Sequence, residues 1–362
     1  MAKKINLSKF IFLFLLLLLS LSTLFLSSGI GVASVYAERN TGCSEIVMEV
    51  SSGRVLYENH AREKKFMAST TKIVTAVTVI EHCNLEEVVT VGKETVGVEG
   101  SSIYLEAGEK LTVKELLYGL MLRSGNDAAE TLAVHCSGSI SDFAELMNAT
   151  AKLIGANDSH FVNPHGLHDD EHYTTAYDLA LISRYAMKNE AFREIVGSKV
   201  KSIPWTTREY DRKLINKNKM LYEFDGANGI KTGYTKNAGR CLVSSCIRNG
   251  MELICVVLNC PPMFERSKEL MTNGFNDYSM YKVIESDNIL GFIKNFSEEK
   301  VCGVHVKKDM CVPLTETEAN DLKIVYDYPE YSESLLEKDV EIGFVKIYSQ
   351  NKLLFSEKIY TI

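Results

Sequence analysis

The chain has 362 residues, of which 46% are apolar and 24% charged. That length allows two domains and a sizeable core, and the composition excludes collagen, extended disorder and a polytopic membrane protein. The formal net charge of −7 comes with no basic cluster interleaved with aromatics, so nucleic acid is excluded as the main partner.

The first nine residues are basic (Lys3, Lys4, Lys9), and residues 10–26 are nearly all Leu, Phe and Ile. Val35-Tyr36-Ala37 follows, with small residues at the two positions a signal peptidase reads. Residues 1–37 are therefore expected to be a secretory signal cleaved after Ala37. If it is retained, the uncharged run is long enough to anchor the chain in a membrane. Either way the remainder is expected to be exported, in the cell wall or at the outer face of the plasma membrane.

Residues 45–59 read as a β-hairpin turning at Ser51-Ser52-Gly53. Residues 69–82 read as a helix with almost no polar face beyond Lys72, which marks a central, buried helix. Thr112-Val113-Lys114-Glu115 is a capping box, and Leu116, Leu117, Leu120 and Met121 continue at helical spacing. Further helices are predicted from Asp127, over 142–154 with Gly155 as the stop, over 176–188 and over 265–278. Two apolar runs, 241–247 and 251–258, flank Arg248-Asn249-Gly250, a strong hairpin signal. Beyond about residue 282 short strand-like pieces alternate with charged turns. The expected organisation is a catalytic domain over 38–282 and a small all-β domain over 283–362. A hairpin, a block of helices, antiparallel strands and a last helix make the larger part α+β.

There are nine cysteines and no Cys-x-x-Cys pair, so a zinc knuckle or thioredoxin-type site is not expected. The count is odd, and most cysteines sit in apolar, strand-like runs, where a free thiol packs as a small apolar group.

Three short motifs stand in one order: Ser69-Thr70-Thr71-Lys72, Ser124-Gly125-Asn126 and Lys231-Thr232-Gly233. On a helix, residues three apart share a face, so the Lys72 amine can reach the Ser69 hydroxyl. A serine becomes a good nucleophile when a neighbouring base takes its proton, and lysine is such a base only if burial or nearby cations lower its pKa. The apolar helix supplies the first condition and Lys231 the second. Ser124 could relay a proton between Lys72 and a leaving amine, and the Asn126 amide could hold a substrate amide carbonyl. Lys231, Thr232 and Thr235 lead into the hairpin and could bind a carboxylate. Gly233 would let a substrate backbone lie along the strand. Taken singly, each motif has a plain structural reading: a capping serine with a snorkelling lysine, a helix-to-helix turn, and an exposed edge-strand lysine.

Together, the three motifs in an exported chain match the set shared by class A β-lactamases and penicillin-binding proteins. From about residue 45 to 278 the chain resembles the low-molecular-mass penicillin-binding proteins that act as serine-type D-alanyl-D-alanine carboxypeptidases, peptidase family S11. Further stretches carry the likeness: Phe66-Met67-Ala68 before Ser69, residues 100–105, Leu122-Arg123 before Ser124, Asn163-Pro164-His165-Gly166-Leu167, residues 175–180, and Gly229-Ile230-Lys231-Thr232-Gly233-Tyr234-Thr235. The resemblance implies a β-lactamase/transpeptidase-like catalytic domain. It implies that Ser69 is acylated by the penultimate D-alanine of a peptidoglycan stem peptide ending in D-Ala-D-Ala, with Lys72 as base, Ser124 and Lys231 completing the proton network and Asn126 orienting the substrate. It places the oxyanion between the N–H groups of Ser69 and Tyr234 and the terminal carboxylate near Thr232 and Thr235. β-Lactams would be covalent inhibitors, and no cofactor or metal is implied.

Two departures stand out. Where some relatives carry a carboxylate-binding arginine, this chain has Met263, leaving Arg266 or Arg240 as substitutes. The C-terminal amphipathic helix that anchors many relatives is not evident either. Among alternatives, a β-lactamase lacks its Glu-x-x-x-Asn-like element here. A D,D-endopeptidase on wall cross-links and a non-catalytic wall- or β-lactam-binding protein stay open. The group His160, His165, His168, Asp169, Asp170 and His172 could in principle bind zinc but reads as a solvated loop.

Overall fold

The computed structural model describes residues 42–286, 288–295, 301–332 and 337–362. The expected signal segment lies outside the described residues. Among the described residues no helix is long and apolar enough to cross a membrane.

In chain order the strands are β1 (Ser44–Glu49), β2 (Val55–Asn59), β3 (Val88–Thr90), β4 (Lys110–Thr112), β5 (Val200–Ile203), β6 (Arg212–Ile215), β7 (Ala227–Thr235), β8 (Gly239–Arg248) and β9 (Met251–Leu258). The main sheet is antiparallel with order β2-β1-β9-β8-β7, so β7 lies at an edge. The helices are α1 (Lys72–His82), α2 (Val113–Tyr118), α3 (Asn126–Ser137), α4 (Ile140–Ile154), α5 (Ala176–Ala186), α6 (Glu190–Gly197), α7 (Met220–Glu223) and α8 (Met263–Asp277).

Strand β9 shows why this sheet is covered on both faces. Successive side chains alternate sides. Ile254, Val256 and Leu258 join the core shared with Leu179, Ala180 and Ile73. Cys255 instead meets Ser267 of α8, its thiol 3.9 Å from the hydroxyl. A strand apolar on both faces reads as a continuous run. Helix α1 is buried from Lys72 to Val79, as its all-round apolar sequence predicts.

Local chemistry sets the helix ends. At α2 the Thr112 hydroxyl accepts from Glu115 N–H at 3.2 Å, and the Glu115 carboxylate accepts from Thr112 N–H at 2.7 Å. Thr112→Ala is expected to cost about 1 kcal/mol, measured as a lower urea midpoint at unchanged slope. Helix α4 starts two residues before the predicted Asp142, because Ser139 caps it and accepts from Asp142 N–H at 3.0 Å. Helix α8 starts at Met263, behind Pro262.

The predicted helix over 69–82 divides into two parts. Residues Ala68–Thr71 form a 3₁₀ turn, and the α-helix begins at Lys72. The Thr70 and Thr71 hydroxyls bond back to the carbonyls of Met67 and Ala68 at 2.7 and 2.8 Å, a local competitor to α-helical bonding.

The C-terminal strands are β10 (Ser279–Ile284), β11 (Gly291–Asn295), β12 (Val301–His305), β13 (Met310–Leu314), β14 (Leu322–Asp327), β15 (Tyr331–Ser332), β16 (Glu341–Ser349) and β17 (Lys352–Thr361). They form a six-stranded sheet, β14-β16-β17-β12-β11-β15, and a β10-β13 pair. Ile293, Val304, Val312, Val345, Ile347 and Ile359 give this all-β part a core of its own. It holds one helical turn that the sequence reading missed, α9 (Glu316–Asn320), formed by a second capping box between Thr315 and Glu318. Glu318 also receives Arg54 in a bidentate pair, and Arg54 donates to the Pro313 carbonyl.

Candidate active site

The 3₁₀ turn explains how Ser69 meets Lys72. With three residues per turn, side chains at i and i+3 eclipse, and the Lys72 Nζ donates to Ser69 Oγ at 3.3 Å. Lys72 also donates to Asn126 Oδ1 and to the His165 carbonyl, both at 2.7 Å. The lysine is fully buried, whereas Ser69 is half-exposed. Both stronger acceptors are neutral oxygens, and among the described residues no carboxylate bonds this amine directly. Burial, and then the cations Lys231 and Lys217, hold its pKa well below the usual lysine range, with Asp127 opposing.

Two glycines fix the backbone around the Ser69 turn. A Cβ on Gly233 would sit 3.0 Å from the Met67 carbonyl oxygen and 3.1 Å from the N atoms of Ser69 and Thr70. Gly233 therefore lets β7 lie against the Ser69 turn itself, a constraint the sequence reading had assigned to substrate approach. On another side Gly166, at φ +87°, would drive a Cβ into the Ala68 carbonyl.

Strand β7 carries the third motif. Lys231 is buried rather than an exposed edge lysine, and its Nζ donates to the Thr232 carbonyl at 2.8 Å. Burial, and then Lys217, lower its pKa to about 7. The Thr235 hydroxyl accepts from Ala238 N–H at 3.0 Å, capping the β7–β8 turn. Tyr234 is 59% exposed, and Arg240 on β8, its register partner, stacks over its ring at 5.0 Å.

The second motif sits at an irregular turn. Residues Gly119–Arg123 form a π-helical turn, and Ser124 ends it in the left-handed conformation at φ 64°. Ser124 is buried, and among the described residues its hydroxyl makes no hydrogen bond to either lysine. Asn126 starts α3. Its N–H donates to the Ser101 carbonyl at 2.7 Å and its Nδ2 to the Glu99 carbonyl at 2.5 Å. Part of the amide expected to hold substrate is thus spent on the 99–101 loop. Asp127 accepts from Ser102 Oγ at 2.5 Å and from the N–H groups of Ile103 and Leu105, fixing the rest of that loop.

The structure corrects two expectations. Arg266 does not serve the site: it is buried against Glu45 with bonds of 2.7 and 2.9 Å. The histidine stretch is not a solvated loop throughout, since His165 and His172 are buried. His172 Nε2 bonds the Thr71 hydroxyl at 2.8 Å and so braces the Ser69 turn. Burial lowers the pKa values of His165 and His172 to about 3 and about 4, so both stay neutral. His165, His172 and Lys217, whose Nζ reaches Ser101 Oγ at 3.1 Å, are the site residues sequence reasoning did not find. The family-like Asn163-Pro164-His165-Gly166 run was a signal for the first.

A partly exposed serine hydroxyl beside a buried lysine whose pKa is drawn well down is an arrangement able to supply a nucleophile and its base. The sequence profile for D-alanyl-D-alanine carboxypeptidase (Peptidase_S11) matches residues 33–261, and the chain belongs to that family. The D-alanyl-D-alanine carboxypeptidase DacF of Bacillus subtilis (strain 168) is 28% identical over 323 residues, covering 86% of this chain and 82% of the relative. DacA of Escherichia coli (strain K12), also named as a D-alanyl-D-alanine carboxypeptidase, is 30% identical over 318 residues, covering 82% and 75%. The crystal structure of penicillin binding protein 5 from Haemophilus influenzae superposes with a TM-score of 0.78 at 26% identity, covering 88% of this chain and 96% of that one.

Proposed function

We propose that this chain removes the terminal D-alanine from peptidoglycan stem peptides through an acyl-enzyme on Ser69, outside the cytoplasm. The observation that carries the reading is the 3.3 Å contact between Ser69 and the buried Lys72. In the proposed reaction Ser69 Oγ attacks the carbonyl carbon of the penultimate D-alanine as its proton passes to Lys72. The N–H groups of Ser69 and Tyr234 take the developing oxyanion. The C–N bond then breaks, and the D-alanine amine leaves with a proton returned through Lys72, Ser124 and Lys231. Asn126 holds Lys72 and the substrate amide in place. Lys231, Thr232 and Thr235 face the terminal carboxylate, with Arg240 the remaining candidate for the role that Met263 cannot fill. Water hydrolyses the ester. Penicillin enters the same cycle and stays on Ser69. Residues 38–282 carry this chemistry, and residues 283–362 form the accessory domain.

The test is incubation of the purified protein with benzylpenicillin, read by intact mass and peptide mapping, beside D-alanine release from a stem peptide. One adduct mapped to Ser69 together with D-alanine release is the expected result. An adduct without D-alanine release would replace the enzyme with a β-lactam-binding protein. No adduct on folded protein would remove the acyl-enzyme mechanism.

A further inference from the structure

Cys43 and Cys260 stand beside two neighbouring strands of the main sheet that are far apart in the chain. Cys43 immediately precedes β1, and Cys260 follows β9 by one residue. Those strands are antiparallel neighbours, with Ser44 opposite Leu258. The Cys43 thiol donates to the Asn259 carbonyl at 3.4 Å, which places it beside the backbone leading into Cys260. The two sulfurs and a Glu45 carboxylate oxygen lie within 4.8 Å of one another, and all three residues are buried.

A cluster of two thiols and a carboxylate could hold a metal ion, but Glu45 is already engaged. Arg266 binds both its oxygens at 2.7 and 2.9 Å, Tyr57 donates at 3.0 Å and the Cys260 thiol at 3.4 Å. A divalent cation here would lie against a guanidinium. What remains available is the dithiol. Its two members are unlike: the hydrogen bond from Cys260 lowers the Cys43 thiol, against burial and Glu45 and with help from Arg266, while the same bond and burial push Cys260 up. The Cys260 thiol holds its proton on Glu45, which leaves Cys43 to attack first.

We propose that Cys43 and Cys260 form a disulfide that ties the start of β1 to the end of β9 when the chain meets a disulfide oxidant. The physiological setting rests on export, because disulfides persist in oxidising compartments; the chemistry does not. The Cys43 thiolate attacks one sulfur of the oxidant disulfide and expels a thiolate, leaving a mixed disulfide. Cys260 then loses its proton to that thiolate and attacks the Cys43 sulfur, expelling the second half of the oxidant as a thiolate that takes a proton from water. Two electrons pass from the pair to the oxidant, which leaves as two thiols. The closed loop would run from residue 43 to residue 260, nearly the whole span of the family match. Long loops constrain the unfolded chain most.

The Cys83 and Cys136 thiols also hydrogen-bond each other, so peptide mapping is the readout rather than total mass. The purified protein is incubated under native conditions with oxidised glutathione, alkylated in denaturant and digested. The expected result is a linked peptide joining Cys43 to Cys260, with a melting temperature about 5 °C above that of the dithiothreitol-treated protein. The rise should vanish in Cys260→Ser. Alkyl label on both Cys43 and Cys260 after oxidant treatment of wild type would overturn the proposal, and so would zinc binding that protects both thiols from alkylation. The wild-type mapping needs neither export nor peptidase activity, so it fails or succeeds independently of the proposed function.

Discussion

Ser69→Ala and Lys72→Ala are each expected to slow D-alanine release and benzylpenicillin acylation by about a thousandfold or more. The double variant should be hardly worse than either single one. The reason is geometric. Ser69 is a weak nucleophile on its own, and among the described residues the Lys72 amine at 3.3 Å is its only candidate base in hydrogen-bond reach. Groups that act as a unit lose their effect together. The fold should survive in Ser69→Ala, whose hydroxyl has no other hydrogen-bond partner among the described residues. Lys72→Ala removes the donor to Asn126 Oδ1 and His165 O, so its circular dichroism and melting curve must be recorded beside the rate. If the losses multiplied, Ser69 and Lys72 would be acting separately and the proposed proton transfer would be wrong.

The second large effect concerns Lys231 and pH. Its pKa, lowered to about 7 by burial and then by Lys217, puts its charge change within the working range of an enzyme. Below about 7 the amine is charged and attracts the substrate carboxylate. Above it the amine is neutral, and that attraction fades. For a D-Ala-D-Ala peptide, kcat/KM should therefore fall on the alkaline side, by about tenfold per pH unit well above the Lys231 pKa, and the fall should appear in KM. Lys231→Ala should lower kcat/KM about 100-fold at pH 6.5, the scale of a charge-assisted hydrogen bond, and abolish the alkaline limb. An alkaline limb that persists in Lys231→Ala would assign it to another group. Lys72 contributes the opposite limb, because only its neutral form takes a proton. Its pKa is drawn downward mainly by burial, so that limb should lie well below the pH of free lysine.

Much of this was legible from local pattern. An all-round apolar helix announced α1, two capping signals placed α2 and α4 within two residues, and Asn249-Gly250 placed the β8–β9 turn. Three ordered motifs pointed to Ser69, Lys72, Asn126 and Lys231, because their chemistry depends on short spacings that a helix or strand fixes. What stayed hidden depends on distant contacts. That Ser69 lies in a 3₁₀ turn rather than an α-helix follows from hydroxyl bonds of Thr70 and Thr71 and from His172, far along the chain. The His165 contribution is a backbone carbonyl, which no residue type reveals. Lys217 acts on the two site lysines only through space. The left-handed Ser124 follows a π-helical turn that no periodicity signals.

The turn bearing Ser69 has main chain pressed against it at Gly233 and at Gly166, and this narrows the routes by which the protein can adapt. A side chain at either glycine meets main-chain atoms of residues 67–70, so the obstacle cannot be relieved by turning a rotamer. Sequence variation would find little room in the immediate surroundings of Ser69. It would act instead on residues whose side chains already stand free, such as Tyr104 at 72% and Tyr234 at 59% exposure. Tolerated change should then be sought at such exposed side chains, while the packing around the Ser69 turn stays constant.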